Sequence, residues 1–343
     1  MPCYVGLDVS LKETAICLVD EHGTIVREGS ALTNPDDLAA FLNAGNEGIT
    51  RIGLEAGNLA AWIVEALRDR GFPIVCMEAL HASRMLKAQA IKTDRNDARG
   101  LAQIVRCGWY KPVHIKSQAS QRLRVLLNNR QLVLSKRKDI ENHIRATLRS
   151  FGLKMGRVWT GRFDRRVREL LVDRSDLADL VEPLLVVRQA LADQQAILTA
   201  QARALARRDT VCQLLQSIPG VGPLTSLAFR ATIDDPARFR RSRDVGAHLG
   251  LVPRKYASGE IDMNGRITRT GDRLTRSYLY EAAQSLMIRC KAETPLRAWG
   301  VNLAKRSCRK TALVAVARKL SVIMHRMWVD GTQFDAHHSE SAA

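Results

Sequence analysis

Over the first eighty residues apolar positions fall in short runs and alternations, the period of strands rather than helices. YVGLDVS (4–10) is a short apolar run, TAICLVD (14–20) alternates, and EHG ahead of TIVREG (24–29) supplies turn chemistry, which predicts three consecutive antiparallel strands. Pro35-Asp36-Asp37 opens an amphipathic helix through Phe41, RIGLEA (51–56) returns as a strand, Ala60 to Arg70 reads as a helix and PIVCMEA (73–79) as another strand. The order βββαβαβα implies a mixed sheet flanked by helices.

The pattern then lengthens. From Ser117 to Phe151 no Pro or Gly interrupts the chain, and Leu123, Leu126, Val133, Ile140, Ile144 and Leu148 form a thin apolar seam among many arginines, so one long basic helix is expected. Leu177, Leu184, Leu191, Leu198 and Leu205 repeat every seven residues, the heptad signature of a coiled coil, with Pro183 marking a helix start or a kink. Two such helices pair as a hairpin within one chain or as a dimer between chains, and the pattern does not choose. After Asp209 short helices broken by Pro and Gly predict a compact helical region. The expected organisation is therefore α/β plus all-α: an α/β region over 1–112, a basic helical coiled-coil region over 113–208, a helical region over 209–332 and a frayed tail over 333–343.

Charge sharpens this division. The 343 residues carry 53 Lys+Arg against 35 Asp+Glu, a net +18 that attracts polyanions, nucleic acid above all. Residues 1–110 hold 11 basic and 14 acidic side chains, whereas residues 111–170 hold 16 basic and 4 acidic. A hydrophobic content of 46% excludes disorder as the main state. Seven scattered cysteines without a C-x-x-C pair argue against a zinc ribbon or a disulfide scaffold and read as reduced thiols. MPCYVGLDVSLKET has no signal-peptide pattern and no run of about 18 apolar residues occurs, so a cytoplasmic protein without a membrane partner is expected.

Four carboxylates stand where a metal site needs them. Asp8 is expected in the middle of the first apolar strand, where an acid is costly to bury unless paired or bound to a cation. Glu55 ends the fourth strand, and Asp94 and Asp97, spaced i and i+3 in KTDRNDARG, share one face of a helix starting there. Hard oxygen ligands suit Mg²⁺ or Mn²⁺, which support phosphoryl transfer. Taken singly, Asp8 and Asp94 read as caps or turn residues and Glu55 as a strand-end acid; only their joint occurrence favours a metal.

The last third has its own candidates. SIPGVGPLT (217–225), with Gly220 and Gly222, has the small-residue loop of a helix-hairpin-helix element whose N–H groups can hold a phosphate, or serves a helix junction structurally. Pro236 to Arg276 holds ten basic residues against four acidic, a track suited to a DNA backbone. Arg254, Lys255, Arg266 and Arg269 there, and Arg122, Arg124, Arg130, Lys136, Arg137 and Lys138 on the long basic helix, are the expected nucleic-acid contacts. Ser258 in RKYASGE is by itself a turn residue. His248 reads as packing or capping, and Trp159, Tyr256 and Tyr278 as core or packing residues.

GLDVS with Asp8, GLEAG with Glu55 and KTDRNDAR with Asp94 and Asp97, on a βββαβαβα order, resemble the ribonuclease H-like fold in its RuvC-type arrangement. With SIPGVGPLTS and AHLGLVPRKYASG, the chain resembles over nearly its whole length the DEDD transposases of bacterial insertion sequences, of the insertion-sequence-110 type. That resemblance implies a ribonuclease H-like domain, a helical hairpin and a small helical transposase domain in which Ser258 is the nucleophile that joins covalently to DNA phosphate. It further implies Mg²⁺ or Mn²⁺ on the four acids, donor and target DNA as substrates, a noncoding guide RNA, and a homo-oligomer, dimer or tetramer. Two rivals remain open: a Holliday-junction resolvase hydrolysing DNA with water, and a catalytically inactive nucleic-acid scaffold.

Overall fold

The computed structural model describes residues 2–45, 48–87 and 91–335, which form two compact units, 1–116 and 117–343. HHSESAA (337–343), the end of the expected frayed tail, lies outside the described residues.

In the first unit β1 (Pro2–Val9), β2 (Glu13–Val19), β3 (Ile25–Leu32), β4 (Gly48–Glu55) and β5 (Ile74–Met77) form one sheet in the order β3-β2-β1-β4-β5. The first three strands are antiparallel, whereas β1–β4 and β4–β5 are parallel. The helices α1 (Pro35–Asn43), α2 (Ala60–Asp69), α3 (Ala79–Leu86) and α4 (Asp94–Cys107) connect and cover it. Because side chains alternate along a strand, each central strand serves two faces. Val5, Leu7, Ile16, Leu18, Ile52 and Leu54 pack with Leu38, Ile63, Val64 and Leu67 of α1 and α2. The other face carries Gly6, Cys17, Val19 and Gly53 beneath α4.

Gly6 and Gly53 are register partners on adjacent parallel strands, and both are required for the approach of α4. A Cβ on Gly6 would stand 2.2 Å from the Ala98 carbonyl oxygen, and one on Gly53 2.1 Å from Val105 Cγ2. On its outer side α4 is tied down by Glu28 of β3, which accepts from Arg99 Nε at 2.8 Å and from Arg95, and by Gln103 donating to the Gly23 carbonyl at 2.7 Å.

The second unit is built on α5 (Gln118–Ser150) and α7 (Ser175–Arg208), an antiparallel pair of 33 and 34 residues joined through α6 (Phe163–Leu170). At one end Ile144 and Leu148 pack on Leu177, Val181, Leu185 and Phe163; at the other Leu127 meets Ala202, Ala206, Leu227 and Tyr278. That second end is rooted in α8 (Thr210–Leu215), α9 (Pro223–Ile233), α10 (Asp244–His248), α11 (Arg273–Ile288), α12 (Pro295–Arg306) and α13 (Arg309–Asp330), whose core includes Phe229, Leu249, Leu279, Val316, Leu320 and Met324. Arg124 of α5 pairs with Asp272, the N-cap of α11, at 2.9 Å. The helix pair and the C-terminal helices, expected as regions from 113 and from 209, thus share one unit.

Three details depart from the sequence expectation. The heptad leucines do not define the seam: α7 turns Leu177, Val181, Leu185, Arg188, Ala202 and Ala206 inward, while Leu205 stays 41% exposed. A straight helix drifts by about 20° per heptad, so over this length an inner face cannot follow a strict seven-residue repeat. Pro183 lies inside α7 instead of beginning it. The C-terminal region also is not wholly helical, because β6 (Pro253–Ser258) and β7 (Ile261–Ile267) form an antiparallel hairpin. Its signal is weak: Arg254 and Lys255 are consecutive cations in β6, and only Ile261, Met263 and Ile267 give β7 an apolar alternation, broken by Gly265. Among the described residues no helix is long and apolar enough to cross a membrane.

Candidate active site

The residues singled out for chemistry occupy one end of the sheet in the first unit and the tip of the hairpin in the second. In β1 the parity that turns Gly6 toward α4 turns Asp8 the same way, and in β4 Glu55 follows Gly53 by the same two-residue step. Leu7 pairs with Leu54, so Asp8 and Glu55 are neighbours where two parallel strands end. Asp8 is the penultimate residue of β1, at its rim and half-buried, and not in mid-strand as the apolar run suggested.

Asp94 and Asp97 form the first turn of α4, the turn before Ala98, which packs on Gly6. The helix is capped by Thr93, whose hydroxyl accepts from the Asn96 N–H at 3.2 Å, which frees Asp94 from the capping role considered for it. The electrostatics register this convergence. The Asp8 carboxyl is pushed up to about 6 by burial and then by the charges of Asp97, Asp94 and Glu55. Glu55 is raised by burial and by Asp97. Lys92 opposes the shift at both acids; sequence reasoning passed over it, although it stands two residues before Asp94 in the same motif.

Among the described residues no three His, Cys, Asp or Glu side chains stand close enough to share an ion. The donor set is nevertheless all oxygen and all anionic, the chemistry of a hard divalent cation.

Ser258 ends β6 and pairs with Ile261 across a two-residue turn whose first residue, Gly259, has φ +56. Every residue of β6 is exposed, and among the described residues no group hydrogen-bonds the Ser258 hydroxyl. Tyr256 pairs with Met263, and both lie on Ser258's face of the hairpin at 60% and 62% exposure. On the opposite face Lys255 reaches Asp262 at 3.2 Å. The base of the hairpin is fixed by Thr268 N–H donating to Val252 and Arg269 N–H to Gly250, with Arg269 itself in the left-handed region at φ 59.

The remaining candidates divide between surface and frame. Arg122, Lys136, Lys138, Arg254, Lys255, Arg266 and Arg269 are exposed. Arg124 is engaged with Asp272, Arg130 donates to Thr199 at 2.9 Å and to the Tyr278 hydroxyl at 3.1 Å, and Arg137 stands 3.5 Å from Glu141. Gly222 starts α9 with open space above it, whereas a Cβ on Gly220 would meet the α11 backbone at 2.8 Å, so Gly220 serves packing. His248 accepts from Arg238 and stands edge-on to Phe239, a packing role. Tyr278 is buried as expected, but Trp159 at 85% exposure and Tyr256 are not core residues.

Comparison with known proteins bears on the whole chain. The transposase model DEDD_Tnp_IS110 matches residues 5–152 and the model described as Transposase IS116/IS110/IS902 family matches residues 212–298. The transposase for insertion sequence element IS1111A of Coxiella burnetii is 28% identical over 331 residues, covering 93% of this chain and 88% of the relative. A probable family 20 transposase of Pseudomonas aeruginosa is 27% identical over 279 residues, covering 80% and 82%. Among solved structures, Thermus thermophilus RuvC aligns with a TM-score of 0.24 and 12% identity over 32% of this chain and 99% of its own. With both family domains following one another in a single chain and a full-length relative alongside, this protein belongs to the IS110/IS116/IS902 family of transposases.

Proposed function

We propose that this transposase cleaves and rejoins DNA through a serine-linked intermediate, with Ser258 as nucleophile and Asp8, Glu55, Asp94 and Asp97 as the ligands of Mg²⁺ or Mn²⁺. The observation that carries the reading is the alignment of Asp8 and Glu55 at the ends of two parallel strands beneath the first turn of α4. The strand order β3-β2-β1-β4-β5 supports its ribonuclease H-like, RuvC-type description. A bound divalent cation would supply charge stabilisation for the pentacoordinate phosphate and lower the pKa of an attached oxygen.

The chain's own residues supply the rest. Ser258 Oγ forms a bond to phosphorus as its proton departs, the P–O bond to one deoxyribose oxygen breaks, and that oxygen leaves as a hydroxyl once protonated. One phosphodiester replaces another, so the strand is rejoined by the reverse attack of a hydroxyl end. Arg254 and Lys255 balance the phosphate charge. Among the described residues no group hydrogen-bonds the Ser258 hydroxyl, which supports a nucleophile activated by what the hairpin binds.

Two further parts of the reading concern partners. The excess of 16 basic over 4 acidic side chains in residues 111–170 supports a noncoding guide RNA beside donor and target DNA. Leu180, Val187 and Leu205 of α7 remain 69%, 47% and 41% exposed on the flank that carries the heptad leucines, which supports a coiled-coil contact between copies and hence a homo-oligomer.

Incubation with donor and target DNA, RNA and Mg²⁺, followed by denaturing electrophoresis, should show a protein–DNA adduct mapping to Ser258. Ser258→Ala should abolish adduct and strand exchange. Asp8→Asn should lower cleavage by at least about a thousandfold. Full cleavage by Ser258→Ala would instead establish water-driven resolution, and unaltered activity in Asp8→Asn would make the acid cluster structural.

A further inference from the structure

The turn from α5 into α6, residues 151–162, caps the end of the helix pair remote from the C-terminal core. From Leu127, in that core, to Leu148, at the turn, α5 climbs about 30 Å. At this outer end Trp159 leaves 85% of its surface in solvent. A side chain of that size gains several kcal/mol of free energy by burial elsewhere, so its exposure requires a reason.

The loop is not loosely held. Trp159 C=O accepts from the Arg162 N–H at 2.9 Å, Arg188 donates to the Thr160 carbonyl at 2.8 Å, and Arg145 donates to the Gly156 carbonyl at 3.2 Å. Arg188 is itself buried, 3% exposed, and pairs with Glu141 and Asp164 at 3.0 and 2.9 Å. The backbone on both sides of Trp159 is therefore fixed, and the indole is presented by an ordered frame.

Its electrostatic setting is equally specific. No Asp or Glu occurs between residues 142 and 163, while Arg149, Lys154, Arg157 and Arg162 are exposed there and, among the described residues, none of them meets a carboxylate. The next arginines along the chain behave otherwise: Arg165 and Arg166 share Glu169, and Arg168 pairs with Glu182. Exposed cations without carboxylate partners in the same turn as an exposed indole fit a strand that offers phosphates and an exposed base together. An intact duplex keeps its bases stacked inside and offers only the phosphates.

We propose that the 151–162 turn is a stacking contact for an unpaired base of a nucleic-acid strand, with Trp159 as the platform and Lys154, Arg157 and Arg162 on the adjoining phosphates. The contact is independent of Ser258 chemistry and stands or falls by binding alone. The test is fluorescence anisotropy of the full chain with a labelled 12-nucleotide oligouridylate, the corresponding oligothymidylate, and a 12-base-pair duplex. Trp159→Ala should weaken binding of a single strand about tenfold and leave the duplex within twofold, Trp159→Phe should recover most of the loss, and Arg157→Ala with Arg162→Ala should flatten the salt dependence. A loss confined to the oligouridylate or to the oligothymidylate identifies the strand as RNA or DNA. Unchanged single-strand affinity in Trp159→Ala overturns the proposal, as does an equal loss on the duplex.

Discussion

The acid cluster and the serine hairpin carry the two halves of the proposed chemistry on opposite kinds of framework. Asp8 and Glu55 extend from strands whose neighbours Val5, Leu7 and Leu54 are fully buried, on a sheet covered on both faces. Ser258 stands on a two-stranded ribbon with every β6 side chain in solvent. A covered sheet holds carboxylates at a set spacing against their mutual repulsion, a cost met by the surrounding core. An isolated hairpin is marginal in water and takes its surroundings from what it binds. The difference teaches that folding fixes the strand ends and the helix turn from which the acids project, whereas the serine ribbon takes none of its surroundings from a core.

The harshest way to break this comparison is to place a side chain on Gly6. In Gly6→Val even the first carbon would overlap the Ala98 carbonyl at 2.2 Å, so α4 must lift from β1 and carry Asp94 and Asp97 with it. A loss of about 3 kcal/mol or more is expected in chemical denaturation, with divalent-ion binding lost as well. The matched change on the ribbon is Gly265→Ala, where the nearest atoms would be 3.7 Å away, and this should cost under about 0.5 kcal/mol. Equal midpoints for both variants would mean that α4 does not rest on β1.

A gentler test titrates the acid cluster. The Asp8 carboxyl is pushed up to about 6 from 3.8, so between these values the folded protein holds a proton that the unfolded chain has released. Its contribution to stability is fully present below about pH 4 and is lost as pH rises through 6; Glu55 shifts in the same direction. With chelator present, the parent should lose stability across this window relative to Asp8→Asn, measured by denaturant midpoints at each pH. Ser258→Ala should keep the whole step. Mg²⁺ should restore stability at pH 7 more than at pH 5, because only the ionised cluster binds it.

Sequence alone made the sheet legible because its signals are local: a two-residue period, Pro35 with Asp36 and Asp37 at a helix start, and apolar runs where both faces are covered. Glu55 at a strand end and Asp94 with Asp97 at a helix start were legible for the same reason. The packing role of Gly6 and Gly53 was not, because it depends on a helix some ninety residues downstream of Gly6. Nor was the α5–α7 seam, since the leucine repeat stands out by residue type whereas the inner face uses Arg188, Ala202 and Ala206. Trp159 and Tyr256 read as core or packing residues because large aromatics usually are, and only three-dimensional exposure reveals otherwise.

The smallest effect on stability, and the sharpest on the ribbon, belongs to Lys255. Its ion pair with Asp262 at 3.2 Å joins side chains 63% and 62% exposed, where water screens most of the attraction, so Lys255→Ala should shift the unfolding free energy by under about 0.5 kcal/mol. On the proposed phosphate role of Lys255, the same change should lower the slope of log affinity against log salt by about one unit. Asp262→Asn reverses the logic: it releases Lys255 from its carboxylate and removes a negative charge from the ribbon, so DNA binding should strengthen with equally little change in stability. Measured by salt titration of binding, opposite signs for the two variants make the ribbon a phosphate contact whose structure is indifferent to its charges. If neither variant alters affinity or salt slope, the exposed ribbon does not meet the DNA backbone, and Ser258 loses the neighbour that would hold its phosphate.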